Sequence, residues 1–533
     1  MSPGSATPKI LIADKVSATC AEVLRAAGFE ADLRPGLPPR DLLAAVADVA
    51  GLVVRSDTQV TDEVMAAAPR LKVVGRAGAG VDNIDVAAAT RRGIVVMNAA
   101  GENTISAAEH TLSMILALAR RIPAADRSMR AGKWERGSAF LGIELFGKTL
   151  GILGVGKVGR EVAARARAFG MQVIGFDPVL TPEAAERAGV APARLEEVLE
   201  RSDVLTLHLP LTEGTRHLLD KDRLARCRKG VRIVNVARGG VVDETALVEA
   251  LKSGHVAGAA LDVFEHEPPT GSPLLGLENV VLTPHLGAST QEAQEKVAAR
   301  IAEQVAAYLR DGTVTNAVNA EGVDARSAPA LAPYRDLCER LGRLLSALAH
   351  GPFSEVTIES CGAVNEFPLR ALTASFLKGL LDQKLSDPVN AVNALLLAKE
   401  AGIRVLETRA GESQDFNALV VATLRGPQGT RSAAGTLFGK RDPRLVRIDE
   451  FQIDAWPSGP MLLVSNDDRP GMVGRIGTVL GEAGVNIAYM SLGRDRSGGR
   501  ALAVLNLDAP LPDPPLRRLC SLAGVLWAER VQL

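Results

Sequence analysis

A glycine-rich turn between two apolar runs constrains this sequence more than any other feature. Gly154, Gly156 and Gly159 are spaced G-x-G-x-x-G, and the apolar run just before them predicts a buried strand over 149–153. An amphipathic helix is predicted after the turn, and then a second strand over 171–176. In such a turn the first glycine permits the tight bend, the second lets backbone approach a pyrophosphate, and the third lets helix pack on strand. The order of strand, turn, helix and strand predicts a dinucleotide site.

Asp177, at the end of the second predicted strand, indicates which dinucleotide binds. It follows the glycine turn by about 20 residues, the offset at which an acidic residue accepts hydrogen bonds from a ribose 2′-hydroxyl. Pro178 comes next instead of an arginine, so a 2′-phosphate would meet a negative charge without a cation. The sequence therefore predicts NAD over NADP. The alternative for Asp177 is a turn residue that caps the strand.

Strands and helices alternate on both sides of this turn, which predicts an α/β fold with a doubly wound parallel sheet. Before the turn, strands are expected over 10–13, 51–54, 72–75 and 94–97, and helices over 18–27, 39–47, 61–68, 86–92 and 106–120. After it, strands are expected over 204–209, 231–236, 256–263 and 280–283, giving a sheet of about six strands. The expected helix caps are Thr104 or Ser106, Asp243, and Ser289 with Glu292 as a capping box.

Arg238, Glu267 and His285 each follow one of the late predicted strands. Because the carboxyl ends of parallel strands share one edge of a sheet, all three should face the same crevice as the glycine turn. An imidazole paired with a carboxylate suits a general base near neutral pH, and a guanidinium can hold a substrate carboxylate. A lone histidine at a strand end is more often structural, and a glutamate beside prolines is usually just solvated. The three together favour catalysis.

Arg55, Ser56 and Arg76 follow two neighbouring strands of the N-terminal region. Two arginines at adjacent strand ends suit a phosphate or a carboxylate, because each guanidinium presents a planar fork of donors. Surface salt bridges are the alternative explanation.

Several segments together resemble a known family. The segments 151–159, 235–244, 261–269 and 283–290 are similar to the signatures of the D-isomer-specific 2-hydroxyacid dehydrogenases. The segments 51–56, 74–83 and 132–136 resemble the branch of that family that handles a phosphorylated substrate. The resemblance covers residues 9 to about 318. It implies NAD-dependent oxidation of D-3-phosphoglycerate, at the start of phosphorylated L-serine biosynthesis.

The resemblance also implies roles for single residues. It makes His285 the catalytic acid/base, Glu267 its carboxylate partner and Arg238 the cation that orients the substrate carboxylate. The cofactor site it implies consists of Gly154, Gly156, Lys157, Val158, Gly159, Asp177, His208, Ala237, Asp262 and Gly287. The substrate site it implies consists of Arg55, Ser56, Arg76, Asn103 and Arg136, the last reaching a neighbouring subunit's site. No metal is expected.

The domain organisation follows from the same resemblance. A flavodoxin-like α/β domain of residues 1–100 and 289–320 is expected to hold substrate in a cleft beside an inserted Rossmann-type NAD-binding domain of residues 101–288. A linker over 322–329, rich in Gly, Asp, Ala, Ser and Pro, leads to an α/β intervening domain over 321–458. There, helices are expected over 333–349 and 388–398 and strands over 356–361 and 418–424. Arg441, Arg444 and Arg447 form a basic run that suits either an anion or a solvated edge.

Residues 459–533 resemble an ACT domain, a small βαββαβ ligand sensor. In this family such domains bind L-serine between paired copies, and Asp468 and Asn486 match ligand positions, with Asn466 as a third candidate for the effector site. Asn466 stands where some inhibited relatives carry Tyr or His. Loop residues that hold the domain together are the alternative. A homotetramer is implied by the resemblance alone.

Composition excludes several other classes of function. The chain carries 61 basic and 62 acidic residues, so bulk attraction to nucleic acid or membrane is not expected. Its five cysteines are scattered without a C-x-x-C, and its start lacks the signal-peptide pattern, which favours the cytoplasm. Two rival functions remain open. One is another D-2-hydroxyacid dehydrogenase, for lactate or glycerate, and the other is a nicotinamide-sensing regulator on the same fold.

Overall fold

The computed structural model describes residues 7–323, 327–349, 351–385, 388–412 and 415–533. Three residues of the predicted linker, 324–326, lie outside that description. The chain divides into two compact units. One contains the residues up to Lys15, Cys20–Asn98 and Ile301–Leu533, and the other contains Val16–Thr19 and Ala99–Arg300.

Five parallel strands form the first sheet of the first unit, in the order β2-β1-β3-β4-β5. They are β1 (Lys9–Ile12), β2 (Glu30–Leu33), β3 (Gly51–Val54), β4 (Val73–Arg76) and β5 (Val95–Asn98). The connecting helices are α1 (Thr19–Ala26), α2 (Pro39–Ala45), α3 (Asp62–Ala66) and α4 (Val86–Arg91). This strand order is the predicted flavodoxin-like one. The strand β2 is absent from the sequence prediction because two acidic residues interrupt its apolar pattern.

Seven parallel strands form the sheet of the second unit, in the order β12-β11-β10-β9-β6-β7-β8. They are β6 (Thr149–Leu153), β7 (Gln172–Phe176), β8 (Ala191–Pro192), β9 (Val204–Leu207), β10 (Val231–Asn235), β11 (Val256–Leu261) and β12 (Val280–Leu282). The helices are α5 (Thr104–Ala119), α6 (Ile122–Arg130), α7 (Lys157–Ala168), α8 (Pro182–Ala188), α9 (Leu195–Arg201), α10 (Lys221–Arg226) and α11 (Glu244–Lys252). The doubly wound sheet is confirmed, with the two-residue β8 beyond the strands predicted.

The cap of α11 agrees with the sequence prediction, whereas the caps of α12 (Gln291–Asp311) and α5 differ from it. The Asp243 carboxylate caps α11 as predicted, accepting from the Ala246 N–H at 2.9 Å. For α12 the prediction of Ser289 is wrong by one residue, because the Thr290 hydroxyl accepts from the Ala293 N–H at 3.2 Å. Neither predicted residue caps α5. Asn103 holds the cap position there without a side-chain hydrogen bond.

Gly75 in the first unit lets the C-terminal part of α12 pack closely on the sheet. A Cβ on Gly75 of β4 would lie 2.7 Å from a Val305 methyl and 2.9 Å from Ile301. Because real Cβ contacts are almost never that short, the helix can lie this close to the sheet only over glycine.

A six-stranded sheet in the order β14-β13-β15-β16-β17-β18 follows, antiparallel except for the pair β13 and β14. The elements are α13 (Ala328–Leu348), β13 (Glu355–Gly362), α14 (Leu369–Leu381), α15 (Ala394–Glu400), β14 (Arg404–Ala410), β15 (Ala418–Gly426), β16 (Gly429–Phe438), β17 (Asp442–Ile448) and β18 (Phe451–Ala455). The helix predicted from residue 388 begins at Ala394 instead. Asn390 and Asn393 side chains bind nearby backbone N–H groups and hold a turn there.

The last region has the predicted βαββαβ order and an antiparallel sheet, β20-β21-β19-β22. Its elements are β19 (Pro460–Asp467), α16 (Met472–Glu482), β20 (Ile487–Arg494), β21 (Arg500–Leu507), α17 (Asp513–Cys520) and β22 (Val525–Gln532). Across the described parts of the chain, no helix has the length and apolarity needed to cross a membrane.

Candidate active site

The glycine turn between β6 and α7 has the shape that a pyrophosphate requires. Gly154 adopts φ +94°, and a Cβ there would lie 2.5 Å from the His208 carbonyl oxygen. A Cβ on Gly159 would lie 2.2 Å from the Gly154 carbonyl oxygen, whereas one on Gly156 would meet nothing within 4 Å. Gly156 caps α7 without a side chain, which leaves the first N–H groups of that helix for an anion. Lys157 and Val158 supply two of those groups, so the residues present fit the pyrophosphate of NAD.

Asp177 lies beside this turn. Its carboxylate accepts hydrogen bonds from the N–H groups of Val155 and Val179, both at 3.0 Å. The side chain therefore helps to hold the glycine turn, in line with the alternative given from the sequence. Its contact with a ribose stays a prediction.

His208, another predicted cofactor residue, follows β9. Its Nε2 lies 3.1 Å from the Thr206 hydroxyl, and burial lowers the pKa of the imidazole to about 4. The side chain is therefore neutral at pH 7, and it can serve only as a neutral donor or acceptor there.

The pair His285 and Glu267 is the main candidate for catalysis in the second unit. His285 Nδ1 lies 2.8 Å from Glu267 Oε2, and the two side chains are 45% and 39% exposed. Glu267 Oε1 accepts from the Phe264 N–H at 3.2 Å. Burial raises the pKa of Glu267, but the hydrogen bond to His285, the charge of His285 and the hydrogen bond from the Phe264 N–H together outweigh it, and the net shift is downward. The carboxylate is thus ionised at neutral pH, and its hydrogen bond orients the imidazole.

The backbone of His285 is held in an unfavourable conformation. Its φ of +57° lies in the left-handed region, which costs a residue other than glycine about 1–2 kcal/mol. The His285 N–H donates to the Asp262 carbonyl oxygen at 2.9 Å. The Asp262 carboxylate accepts from the next two N–H groups, those of Leu286 at 2.7 Å and Gly287 at 2.8 Å. One aspartate therefore fixes the turn that presents the imidazole.

Asp262 itself is fully buried. Its carboxylate also contacts the Thr283 hydroxyl at 2.5 Å and His110 Nε2 at 3.1 Å. Burial raises the pKa of Asp262. The hydrogen bonds from His110, Thr283 and the Leu286 N–H together lower it by more, so the net shift is downward. The supporting role of His110 is absent from the sequence prediction. The available signal was a histidine inside the largely apolar helix α5.

Arg238 lies in the loop after β10. Asn235 shapes this loop, because its side chain accepts from the Ala237 N–H at 3.0 Å and donates to the Arg238 carbonyl oxygen at 2.8 Å. In the sheet, Asn235 is paired with Leu261, and Leu261 with Leu282. The three strands therefore end at one edge, and Arg238, Glu267 and His285 all follow that edge.

The predicted phosphate-side residues belong to the first unit. Val54 pairs with Arg76 across β3 and β4, so Arg55 and Arg76 stand at one edge of that sheet. Asp14, a buried residue absent from the prediction, accepts from the Arg55 N–H at 2.5 Å. The Arg76 guanidinium covers Gly78, where a Cβ would lie 1.6 Å from Arg76 Nη1. Ser56 is exposed beside them.

Asn103 and Arg136 belong to the second unit. Asn103 precedes α5, and Arg136 lies in an exposed loop with its guanidinium 5.3 Å from the centre of the Trp134 ring. Their contacts with substrate stay predictions.

Three family models match the chain. The NAD binding domain of D-isomer specific 2-hydroxyacid dehydrogenases matches residues 112–287, the D-3-phosphoglycerate dehydrogenase intervening domain 330–449, and the ACT domain 461–524. The D-3-phosphoglycerate dehydrogenase of Archaeoglobus fulgidus is 41% identical over 98% of this chain and 100% of its own length. That of Mycobacterium tuberculosis is 43% identical over 99% of each. The chain belongs to the D-3-phosphoglycerate dehydrogenase family.

A solved structure agrees with this assignment. The crystal structure of a glyoxylate reductase from Paecilomyes thermophila matches with a TM-score of 0.54 and 32% identity, over 59% of this chain and 99% of that chain. The family resemblance read from the motifs is thus confirmed. So is the cofactor class, because the matched NAD-binding segment contains the glycine turn, Asp177 and the His285–Glu267 pair.

The ACT region does not bring its three predicted effector residues together within one chain. Asn466 is buried and donates to the Asp467 carbonyl oxygen, while Asp468 accepts from the Gly498 N–H at 3.1 Å. Asn486 donates to Asp508 at 2.7 Å. Asn466 is paired with the start of β21, whereas Asn486 lies beyond its far end, about 20 Å away along the strand.

The middle residue of the basic run in the intervening region is paired locally. Arg444 is buried and lies 3.6 Å from the centre of the Trp456 ring, with Asp442 at 3.1 Å and Asp454 at 3.6 Å. This residue is therefore neither a solvated edge nor a free anion ligand. Its cation is neutralised by carboxylates and an aromatic face, which is a structural role.

Proposed function

We propose that the chain catalyses the NAD-dependent oxidation of D-3-phosphoglycerate to 3-phosphohydroxypyruvate, the first step of the phosphorylated route to L-serine. The observation that carries the proposal is the His285–Glu267 pair, at 2.8 Å, in a chain related to D-3-phosphoglycerate dehydrogenases over almost its whole length. NAD, when bound, accepts the hydride that leaves C2 of the substrate.

The protein's own residues handle the proton and the charge. With Nδ1 engaged by Glu267, the imidazole of His285 has Nε2 for the C2 hydroxyl, whose proton it accepts. The Glu267 carboxylate stabilises the imidazolium that results. Arg238 holds the substrate carboxylate and polarises the developing carbonyl. In the reverse reduction, the same imidazole returns its proton to the carbonyl oxygen.

Substrate choice is assigned to the arginines of the first unit. Arg55, Ser56 and Arg76 are proposed to bind phosphate, with Asn103 and Arg136 as further contacts. A lactate or glycerate dehydrogenase would have no need for this cationic set, which favours the phosphorylated substrate over that rival.

An initial-rate assay tests both parts of the proposal. NADH oxidation is followed with 3-phosphohydroxypyruvate, hydroxypyruvate and pyruvate, in wild type and Arg76→Met. Loss of a charge-assisted phosphate contact is expected to lower kcat/KM for the phosphorylated acid by about 10- to 100-fold, with little change for hydroxypyruvate. Equal use of the three acids by wild type would favour the general dehydrogenase. No turnover at all would favour the nicotinamide sensor.

Finer properties are proposed from the resemblance alone. They are a cytoplasmic location, a homotetramer, L-serine as an effector, and the four-domain division with boundaries near 100, 288, 320 and 458. Sedimentation velocity on the full chain tests the tetramer, and a monomer or dimer would refute it.

A further inference from the structure

Two loops of the second unit interlock beside the catalytic pair. One is the loop after β10 that carries Arg238, and the other is the loop after β11 that ends at Glu267. At their contact, a Cβ on Gly239 would lie 1.8 Å from the Phe264 carbonyl oxygen and 2.9 Å from the Glu265 nitrogen. Backbone packs on backbone here, so a shift of one loop must displace the other.

Two glutamates fasten these loops together. The Glu244 N–H donates to the Glu265 carboxylate at 3.0 Å, and the Glu265 N–H donates to the Glu244 carboxylate at 2.6 Å. We call this reciprocal pair the glutamate clamp. Glu244 is the first residue of α11, so its N–H has no acceptor within the helix, and the positive end of the helix dipole favours a carboxylate beside it.

The surroundings of the glutamate clamp include two histidines. His217 Nε2 lies 3.2 Å from Glu265 Oε1, and His266 is close enough to act electrostatically on the Glu244 carboxylate. Burial raises the pKa of Glu244, and the hydrogen bond from the Glu265 N–H opposes that rise without cancelling it. The clamp is thus a partly desolvated arrangement in which both carboxylates already have N–H donors.

The clamp is linked to the catalytic carboxylate by one peptide unit. The Phe264 N–H donates to Glu267, and the next N–H, that of Glu265, donates to Glu244. Adjacent N–H groups therefore anchor Glu267 on one side and the start of α11 on the other. Release of the second anchor would free the short segment that aims the Glu267 carboxylate at His285.

We propose that Glu244 and Glu265 are positioning residues for the dehydrogenase reaction. They hold Glu267 against His285, and they fix the position of the Arg238 loop relative to that pair. This inference rests on the catalytic roles assigned under the proposed function. The clamp residues have no direct contact with reacting atoms in the proposed reaction, so their effect is expected on turnover rather than on NADH binding.

Substitution of Glu244 tests the clamp in the full-length protein. Glu244→Ala is expected to lower kcat for 3-phosphohydroxypyruvate reduction by about 10- to 100-fold, because a misplacement of about 1 Å can cost that much, while the Kd for NADH stays within about twofold. Glu244→Gln keeps an oxygen acceptor for the Glu265 N–H and is expected to recover most of the loss. The matched control is Glu249→Ala, on the same helix, where the side chain is exposed and pairs with Lys221. A wild-type kcat in Glu244→Ala overturns the proposal.

Two further readouts separate positioning from general damage to the fold. Reduction requires the protonated imidazole, so weaker support from Glu267 moves the falling limb of the pH–kcat profile to lower pH in Glu244→Ala. In a Glu267→Gln background, Glu244→Ala is expected to add less than about twofold, since both act through one contact. The clamp proposal would be overturned if the losses in kcat from Glu267→Gln and Glu244→Ala multiplied in the double variant while the falling limb of the pH–kcat profile did not move in Glu244→Ala. If Glu244→Ala melts early, Glu265→Ala and its rescue by Glu265→Gln repeat the same comparison.

The catalytic assignment is read separately from the single variant Glu267→Gln. If that variant retains wild-type kcat and pH profile, the assigned pair is wrong, and the clamp proposal falls with it. If it loses turnover as expected while Glu244→Ala and Glu265→Ala do not, only the clamp is wrong.

Discussion

The second unit and the ACT region both carry predicted functional residues close together in sequence, yet only one of them forms a site within a single chain. His285 and Glu267, separated by 18 positions, meet at 2.8 Å. Asn466 and Asn486 have a similar separation and lie at opposite ends of β21. The difference comes from the end of its strand at which each residue lies.

Parallel strands joined by helices all end at the same edge, so the loops after β10, β11 and β12 converge whatever their sequence distance. In the ACT region, β19 and β20 are both antiparallel to β21 and therefore run in the same direction, and Asn466 lies near the end of β19 whereas Asn486 lies just before the start of β20. Residues near both ends can act on one ligand only if a second copy of the domain supplies one of them. The proposed catalytic residues Arg238, Glu267 and His285 therefore share one edge of a single sheet, whereas an effector site at the three ACT residues would depend on assembly.

The largest effect is expected for a substitution of His285, and it tests the catalytic role assigned to the second unit. His285→Gln removes the proton acceptor, and kcat is expected to fall by about 10²–10⁴-fold, while the Kd for NADH remains close to wild type. Stopped-flow fluorescence of NADH binding beside steady-state rates checks both quantities. Loss of NADH binding together with turnover would mean that His285 supports the cofactor site and not the chemistry.

A second prediction concerns how the shared edge is held. Asp262→Asn removes a buried acceptor of two backbone N–H groups and two side chains, and is expected to lower the free energy of unfolding of the second unit by about 2–4 kcal/mol. Because the folded-state pKa of Asp262 is lowered, its stabilising effect is present above the ordinary carboxyl range. It is lost as the pH falls through the folded value, in the region below about pH 4. The gap between wild type and variant should therefore shrink on acidification.

Urea unfolding at pH 7 and at about pH 2.5 measures this gap. Asp126→Asn is the matched control, because that carboxylate forms an exposed i,i+4 pair with Arg130 and is worth at most about 0.5 kcal/mol. A gap that stays constant with pH would show that the Asp262 carboxylate is not the source of the stability.

Pattern reasoning succeeded where one local rule decides the outcome. The glycine turn, the Asp243 cap and the strand-end positions of Arg238 and His285 all follow from residue type and spacing. It failed where neighbouring residues of similar type can fill one local role, or where a side chain competes with helix formation. Thr290 caps α12 instead of its neighbour Ser289, and Asn390 and Asn393 hold a turn where a helix was expected. His110 supports Asp262 from an element far away in sequence, which spacing alone does not reveal.

The smallest effect is expected in the ACT region, and it tests whether an effector site there requires two copies of the domain. L-serine is expected to inhibit the full-length enzyme, and Asn486→Ala to raise the half-maximal concentration by about tenfold, the worth of roughly one hydrogen bond near 1.4 kcal/mol. Ser521→Ala is the control, because its exposed hydroxyl only donates to the Arg518 carbonyl oxygen of the same domain. If the effector lies between two copies, inhibition should also weaken as the protein is diluted below the dissociation constant of the oligomer. Sedimentation at each protein concentration measures how much oligomer remains. Inhibition that is insensitive to both Asn486 and dilution would place the effector within one copy, and Asn486 would then not be an effector ligand.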